Sequence, residues 1–270
     1  MNRLDNCFKA LAEAKQKALV PFITAGDPSS EFTLKCMHSM VKAGANIIEL
    51  GVPFSDPMAD GPVIQKASER ALAKGMSLRG VIDIVRQFRL DDQTTPVVLM
   101  GYLNPIEFMG YEVFAKTASE AGVDAVLTVD IPPEESAALL VAYEKYDLAP
   151  IFLLSPTSHE SRIKKVAAVA KGYIYYVSIK GVTGTGDLEL SEVEDKLAEI
   201  KRHTSLPLAV GFGVKNAEIA ANIAKISDAV VVGSALINCI TDYSADETKG
   251  QQAIAALLSD MRTAMDAVTK

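Results

Sequence analysis

The chain has 270 residues with 27 Lys and Arg against 34 Asp and Glu, a formal charge of −7, and no Lys/Arg cluster, which argues against a nucleic-acid surface. Hydrophobic residues make up 49% and aromatics 6%, with no Trp, so a large aliphatic core is possible, yet no apolar run reaches the roughly 20 residues of a membrane span. The N-terminus is too polar for a signal peptide, and Cys7, Cys36 and Cys239 lack metal-like spacing, so the expected compartment is a reducing cytoplasm.

Leu4, Phe8 and Leu11 recur at helical spacing and predict a short amphipathic helix that plugs one end of a core. Residues 18–24 then read as a strand, followed by a turn with a capping signal and a helix over 31–43 ending at Gly44. Residues 46–51 form the second strand. Helices are expected over 62–74 and 78–90, a third strand over 96–102, and one helix over 105–121 closed by Gly122. The fourth strand covers 124–129. The run Asp130-Ile-Pro-Pro-Glu-Glu-Ser136 starts a helix through Tyr146, and the fifth strand (149–154) is followed by a helix over 160–170. Residues 173–178 form the sixth strand, ahead of a Gly-rich loop and a helix over 191–202. The seventh and eighth strands cover 206–210 and 229–232 with a helix over 216–225 between them, and helices over 235–242 and 251–268 finish the chain.

The strands are short, rich in Val, Ile and Leu, and each is followed by a helix, which demands parallel pairing with both faces buried. Eight such units, with no linker between them, predict one α/β domain over 1–270, a closed (β/α)8 TIM barrel with an extra N-terminal helix. An open doubly wound sheet is the alternative, but no Gly-x-Gly-x-x-Gly follows the first strand.

Chemistry in such a barrel is expected at the C-terminal ends of the strands. Period-2 alternation in the second strand puts Ile47, Glu49 and Gly51 on one face and Ile48 and Leu50 on the other, so Glu49 projects into the interior. A carboxyl there must be paired, hydrogen-bonded or raised in pKa, and a raised pKa suits a general acid/base at neutral pH. A structural ion pair with a neighbouring strand would serve equally to hold it. Asp60 follows in a loop interrupted by Pro53 and Pro57; it reads either as a second carboxylate in a different environment or as the N-cap before Pro62. Phe22, Met100, Leu127, Leu153 and Tyr175 fall near strand ends, and together they suit an apolar pocket for a flat ring. Gly211-Phe212-Gly213 and Gly233-Ser234 occupy the loops after strands seven and eight, where these barrels bind phosphate. The loop from Ser178 to Leu190 has three glycines suited to a hinged lid. His38, His159 and His203 are too scattered for a metal site or a triad.

These residues resemble the tryptophan synthase alpha subunit family. The resemblance is carried by Pro21-Phe-Ile-Thr-Ala-Gly-Asp-Pro28, the run from Ile48 to Gly61, Tyr175 with Gly181-Val-Thr-Gly184, and Gly211-Phe-Gly213 with Gly233-Ser-Ala235, in order along essentially the whole chain. It implies retro-aldol cleavage of indole-3-glycerol phosphate to indole and glyceraldehyde 3-phosphate. Glu49 then corresponds to the acid/base, and Asp60 to the carboxylate that holds the indole N–H. Gly184, Gly213, Gly233 and Ser234 match the phosphate cradle, and Thr183 the lid residue closing over Asp60. Phe22, Met100, Tyr102, Leu127, Leu153, Tyr175 and Phe212 are the implied substrate contacts. The resemblance further implies no cofactor in this chain, a pyridoxal-phosphate beta subunit as partner in an alpha2beta2 heterotetramer, and Pro53, Phe54 and Asp56 in the contact loop. Two positions depart from the family: Ile179, where an Arg is frequent, and Val129, where a small residue is. A Schiff-base aldolase using Lys180, and a non-catalytic activating partner, are the competing readings.

Overall fold

The computed structural model describes residues 2–178, 190–211 and 213–269. In chain order its elements are α1 (Arg3–Glu13), β1 (Ala18–Thr24), α2 (Ser30–Lys42), β2 (Ile48–Gly51), α3 (Pro62–Ala73), α4 (Leu78–Phe88), β3 (Val97–Gly101), α5 (Leu103–Met109), α6 (Tyr111–Ala121) and β4 (Ala125–Thr128). There follow α7 (Ala137–Lys145), β5 (Ala149–Leu154), α8 (Glu160–Val169), β6 (Ile174–Val177), α9 (Leu190–Lys201), β7 (Leu208–Gly211), α10 (Ala217–Ile226), β8 (Ala229–Val232), α11 (Ser234–Asp242) and α12 (Glu247–Val268). Strands β1 to β8 pair in parallel in sequence order and β8 returns to β1, with Ala18 opposite Ala229, so the chain forms a closed (β/α)8 barrel.

The two-residue period of the strands divides the core into two shells. Val20, Ile47, Val98, Leu127, Ile151, Tyr173 and Tyr175 fill the barrel, while Leu19, Ile48, Leu50, Leu99, Val126 and Val210 meet the surrounding helices. Leu4 and Leu11 of α1 belong to the inner shell, with Phe8 packed against it, so α1 does plug the N-terminal end as its spacing predicts. Leu4 fits against Gly172, where a Cβ would lie 2.5 Å from Leu4 Cδ2.

Three polar side chains just ahead of strands fasten that end. Asn46 Oδ1 accepts the N–H of Leu19 at 2.8 Å, Asp124 Oδ2 that of Val97 at 2.8 Å, and Asp228 Oδ2 that of Leu208 at 2.8 Å, so each ties the start of one strand to its neighbour. Asp124 also receives Arg3 and the buried Arg89, whose guanidinium donates in addition to the carbonyls of Gly122, Asp92 and Thr95.

The structure corrects three helix boundaries. The helix expected over 105–121 is two, α5 and α6, because Gly110 adopts φ 85° between them. Helix α5 starts earlier, at Leu103, whose N–H is taken by Asp130 Oδ1 at 2.7 Å. Residues 130–136 form turns, because the paired prolines defer α7 to Ala137. Helix α12 starts at Glu247, where Asp246 caps Lys249 N–H.

Replacing Asp124 by Ala takes from the buried Arg89 the nearer of its two carboxylates, leaving Asp92 at 4.0 Å, and is expected to cost about 3 kcal/mol. Asp228→Ala, which removes a half-exposed partner, is expected to cost about 1 kcal/mol. Urea unfolding of the two variants checks the ranking.

Candidate active site

Glu49 sits in the middle of β2, opposite Phe22 on β1 and Val98 on β3, and is fully buried. Its side chain points into the barrel as the alternation predicts. Among the described residues no Lys or Arg meets it. Tyr173, on the strand approach to β6 across the barrel, donates its hydroxyl to Oε1, and Oε2 has no hydrogen-bond partner among the described residues. Burial disfavours the charged form and pushes the carboxyl pKa up to about 7, with the Tyr173 hydrogen bond pulling the other way. Among the described residues, then, it is a tyrosine hydroxyl and not a structural ion pair that holds this carboxyl.

Asp60 lies at the far end of the loop after β2. The N-cap of α3 is Gly61, with no side-chain cap bond, so Asp60 is not the helix cap. Its Oδ2 instead accepts from the Tyr102 hydroxyl at 3.0 Å, and its backbone carbonyl accepts from Gln65 Nε2 at 2.8 Å. Burial raises its pKa and the Tyr102 hydrogen bond offsets part of that rise. Helix α3 is anchored by Arg70, which donates to both oxygens of buried Asp27 at 2.8 and 2.7 Å.

Glu49 and Asp60 share one cavity of about 1250 Å³ at the C-terminal ends of the strands. Of the apolar residues expected there, Phe22, Met100, Leu153 and Tyr175 line it, as does Val129. Leu127 is packed wholly inside the barrel, and Tyr102 lines a small adjoining cavity with Phe22, Asp60 and Met100. Two strand-end glycines make room for the rings. A Cβ on Gly51 would lie 2.6 Å from Phe22 Cζ, and one on Gly211 would lie 1.9 Å from the Tyr175 hydroxyl.

Gly213, Gly233 and Ser234 meet on the same cavity, where Gly233 precedes α11 and Asn216, the N-cap of α10, lies alongside. Two helix N-termini thus face one end of the cavity, an arrangement suited to an anion. Thr183, Gly184, Phe212, Ile179, Lys180 and the lid lie outside the described residues. In the loop after β2, Pro53 is buried, Phe54 is half-buried and Asp56 is exposed.

Sequence reading missed Tyr173 and Ile64. The interior direction of Tyr173, though not its partner, was discoverable, because it stands two residues before Tyr175 on the same face of the sixth strand. Ile64 lies on α3, whose contact with the cavity depends on how the helix packs. Among the described residues no three His, Cys, Asp or Glu side chains converge as metal ligands, and no helix is long and apolar enough to cross a membrane.

A closed parallel barrel with a half-neutral interior carboxyl, a second carboxylate and an anion-suited rim on one cavity defines an acid/base barrel enzyme. The family model described as "Tryptophan synthase alpha chain" matches residues 8–266. The alpha chain of Thioalkalivibrio sulfidiphilus is 57% identical over 266 residues, covering 98% of this chain and 100% of the relative; that of Methylococcus capsulatus is 57% identical over 267 residues, covering 99% and 100%. Among solved structures, tryptophan synthase subunit alpha from Legionella pneumophila superposes with a TM-score of 0.93 at 48% identity, covering 99% of both chains. The chain belongs to the tryptophan synthase alpha chain family.

The Glu49 pKa makes a prediction about stability. A carboxyl raised from 4.5 to about 7 on folding favours the fold fully below about pH 4.5, and that contribution is lost as pH rises through about 7. The loss amounts to about 3 kcal/mol. Glu49→Gln removes it, so the stability of the variant relative to wild type should rise by roughly this amount between pH 4 and pH 8 in urea unfolding.

Proposed function

We propose that this chain performs the lyase half-reaction of its family, the retro-aldol cleavage of indole-3-glycerol phosphate to indole and D-glyceraldehyde 3-phosphate, with Glu49 as acid and base and Asp60 as electrostatic partner. The observation that carries the assignment is the asymmetry of Glu49: one oxygen is held by Tyr173, while the other is buried with no partner among the described residues, on a residue that lines the cavity.

Glu49 starts protonated, which its raised pKa allows near neutral pH. It delivers its proton to indole C3 and leaves the ring nitrogen cationic. As a carboxylate it then takes the proton of the hydroxyl on the carbon attached to C3. The oxygen electrons form the aldehyde, the carbon–carbon bond breaks, and its electron pair returns to the ring as neutral indole. Glu49 ends protonated and ready for another cycle. Asp60 accepts the ring N–H and, when ionised, stabilises the cation between the two steps. Phe22, Met100, Leu153 and Tyr175 flank the ring, with Val129 narrowing that end. Gly213, Gly233 and Ser234 take the phosphate at the N-terminus of α11.

The alpha-chain family name implies a beta-chain partner. Its identity as a pyridoxal-phosphate enzyme, the alpha2beta2 assembly and the passage of indole to it are part of this proposal, as is a cytoplasmic setting, supported by three unpaired cysteines among the described residues. One solved relative, from Mycobacterium tuberculosis, is described as tryptophan synthase in an aminoacrylate-bound form; its matched chain superposes with a TM-score of 0.87 at 29% identity, covering 98% of this chain and 100% of that one. The partner surface would lie on the rim above β2 and β3, where Met58, on the loop that carries Phe54 and Asp56, is 84% exposed and Phe108 of α5 is 95% exposed.

Indole release from indole-3-glycerol phosphate tests the assignment. Glu49→Gln and Asp60→Asn should each lower kcat by a factor of at least ~10², and a fully active Glu49→Gln chain would rule out the acid/base role. Because the working form of Glu49 is the protonated one, turnover should fall as pH rises through its pKa. Tyr173→Phe removes a hydrogen bond that favours the carboxylate, so this alkaline limb should move to higher pH.

A further inference from the structure

The hydroxyl of Tyr102 is already spoken for. It donates to Asp60 Oδ2 at 3.0 Å and accepts the backbone N–H of Ala59 at 3.1 Å, so its single proton is committed to the carboxylate. The residue is 4% exposed and does not line the large cavity. Its ring stacks on Phe54, with centroids 5.3 Å apart and planes at 30°, which fixes the direction of the hydroxyl. From below, Tyr102 is set by the end of β3 and by Asp130, which holds the N–H of the next residue, Leu103, at 2.7 Å. The loop that carries Asp60 has few bonds of its own: Val52 N–H reaches Met100 O, Ser55 donates to Asp56, short turns close Met58 on Asp56 and Asp60 on Pro57, and Gln65 of α3 holds the Asp60 carbonyl but not its carboxylate. Among the described residues, Tyr102 is the side chain that connects the last residues of this loop to a neighbouring strand end.

We propose that Phe54 and Tyr102 form a strut that holds the Asp60 carboxylate in its working orientation, making Tyr102 a positioning residue that acts through Asp60 and not a substrate contact. The inference rests on the role of Asp60 proposed above. It corrects the reading of Tyr102 as part of the ring pocket, because its ring is spent on Phe54 and its proton on Asp60. It also gives Phe54 a second task. The same ring that borders the exposed Ser55 and Asp56 braces the tyrosine behind the carboxylate, so a partner that pushes on the loop tip shifts Asp60 through a stack and one hydrogen bond.

The test combines direct titration of the Asp60 carboxyl, by carbon NMR of the full chain labelled at aspartate, with the pH dependence of indole release. The Asp60 resonance is the one missing in Asp60→Asn. A hydrogen bond to the ionised carboxylate lowers its pKa, so Tyr102→Phe should raise the Asp60 midpoint by about one pH unit and move the acid limb of kcat upward with it. It should also lower kcat by ~10-fold while changing KM little. Phe54→Leu should shift both in the same direction by less, and Phe54→Tyr, which keeps a ring for stacking, should restore them. In an Asp60→Asn chain, Tyr102→Phe should cost less than about a further twofold, because there is no carboxylate left to orient. An unmoved midpoint, or an equal loss of kcat in both backgrounds, overturns the strut. Wild-type turnover in Asp60→Asn overturns instead the role of Asp60, and the two failures are distinguishable because the midpoint is read without turnover.

Discussion

The contact between Tyr173 and Glu49 is the constraint from which the rest of this barrel can be understood. A fully buried carboxyl in the middle of a strand, between Phe22 and Val98 of the neighbouring strands, is unfavourable in its charged form, and the phenol opposite relieves only one of its oxygens. The second oxygen has no hydrogen-bond partner among the described residues. A salt bridge in this position would have fixed the charge and suppressed proton exchange. A phenol orients the group while leaving its acidity near neutrality.

The fold then separates what must be stable from what must react. At the N-terminal end, Asn46, Asp124 and Asp228 stitch neighbouring strands together through backbone N–H groups, and α1 closes the opening. At the C-terminal end, the polar groups face a cavity. The rings of Phe22 and Tyr175 occupy space released by Gly51 and Gly211, so this part of the pocket is shaped as much by missing Cβ atoms as by side chains present. Between the two ends runs a continuous column: Phe8 of α1 lies 5.9 Å from the ring of Tyr173, and Tyr173 holds Glu49.

Most of this architecture was legible in the residues, because strand alternation and helix punctuation are local signals. The interior direction of Glu49 follows from its place between Ile48 and Leu50, and the structure has it there. The division of the 105–121 helix was not legible, because Gly110 in that stretch reads equally well as an ordinary helical interruption until its positive φ is seen. The partners of the two carboxylates were hidden for another reason. Tyr173 is 124 residues from Glu49 and Tyr102 is 42 from Asp60, and no spacing rule within one element links them. The curvature of the barrel brings Tyr173 across to Glu49, and the pairing of β2 with β3 brings Tyr102 to Asp60. Val129, which stood out as a departure from the family, lines the cavity.

The length of that separation has a consequence for the chain as it is being made. Glu49 is synthesised well ahead of Tyr173, and ahead of β8, whose pairing with β1 shuts water out of the interior. Until the ring closes, the carboxyl remains hydrated and has the acidity of any surface glutamate. Completing the fold is therefore what turns a common side chain into an acid fit for neutral pH, and an unfinished barrel carries the residue without the chemistry.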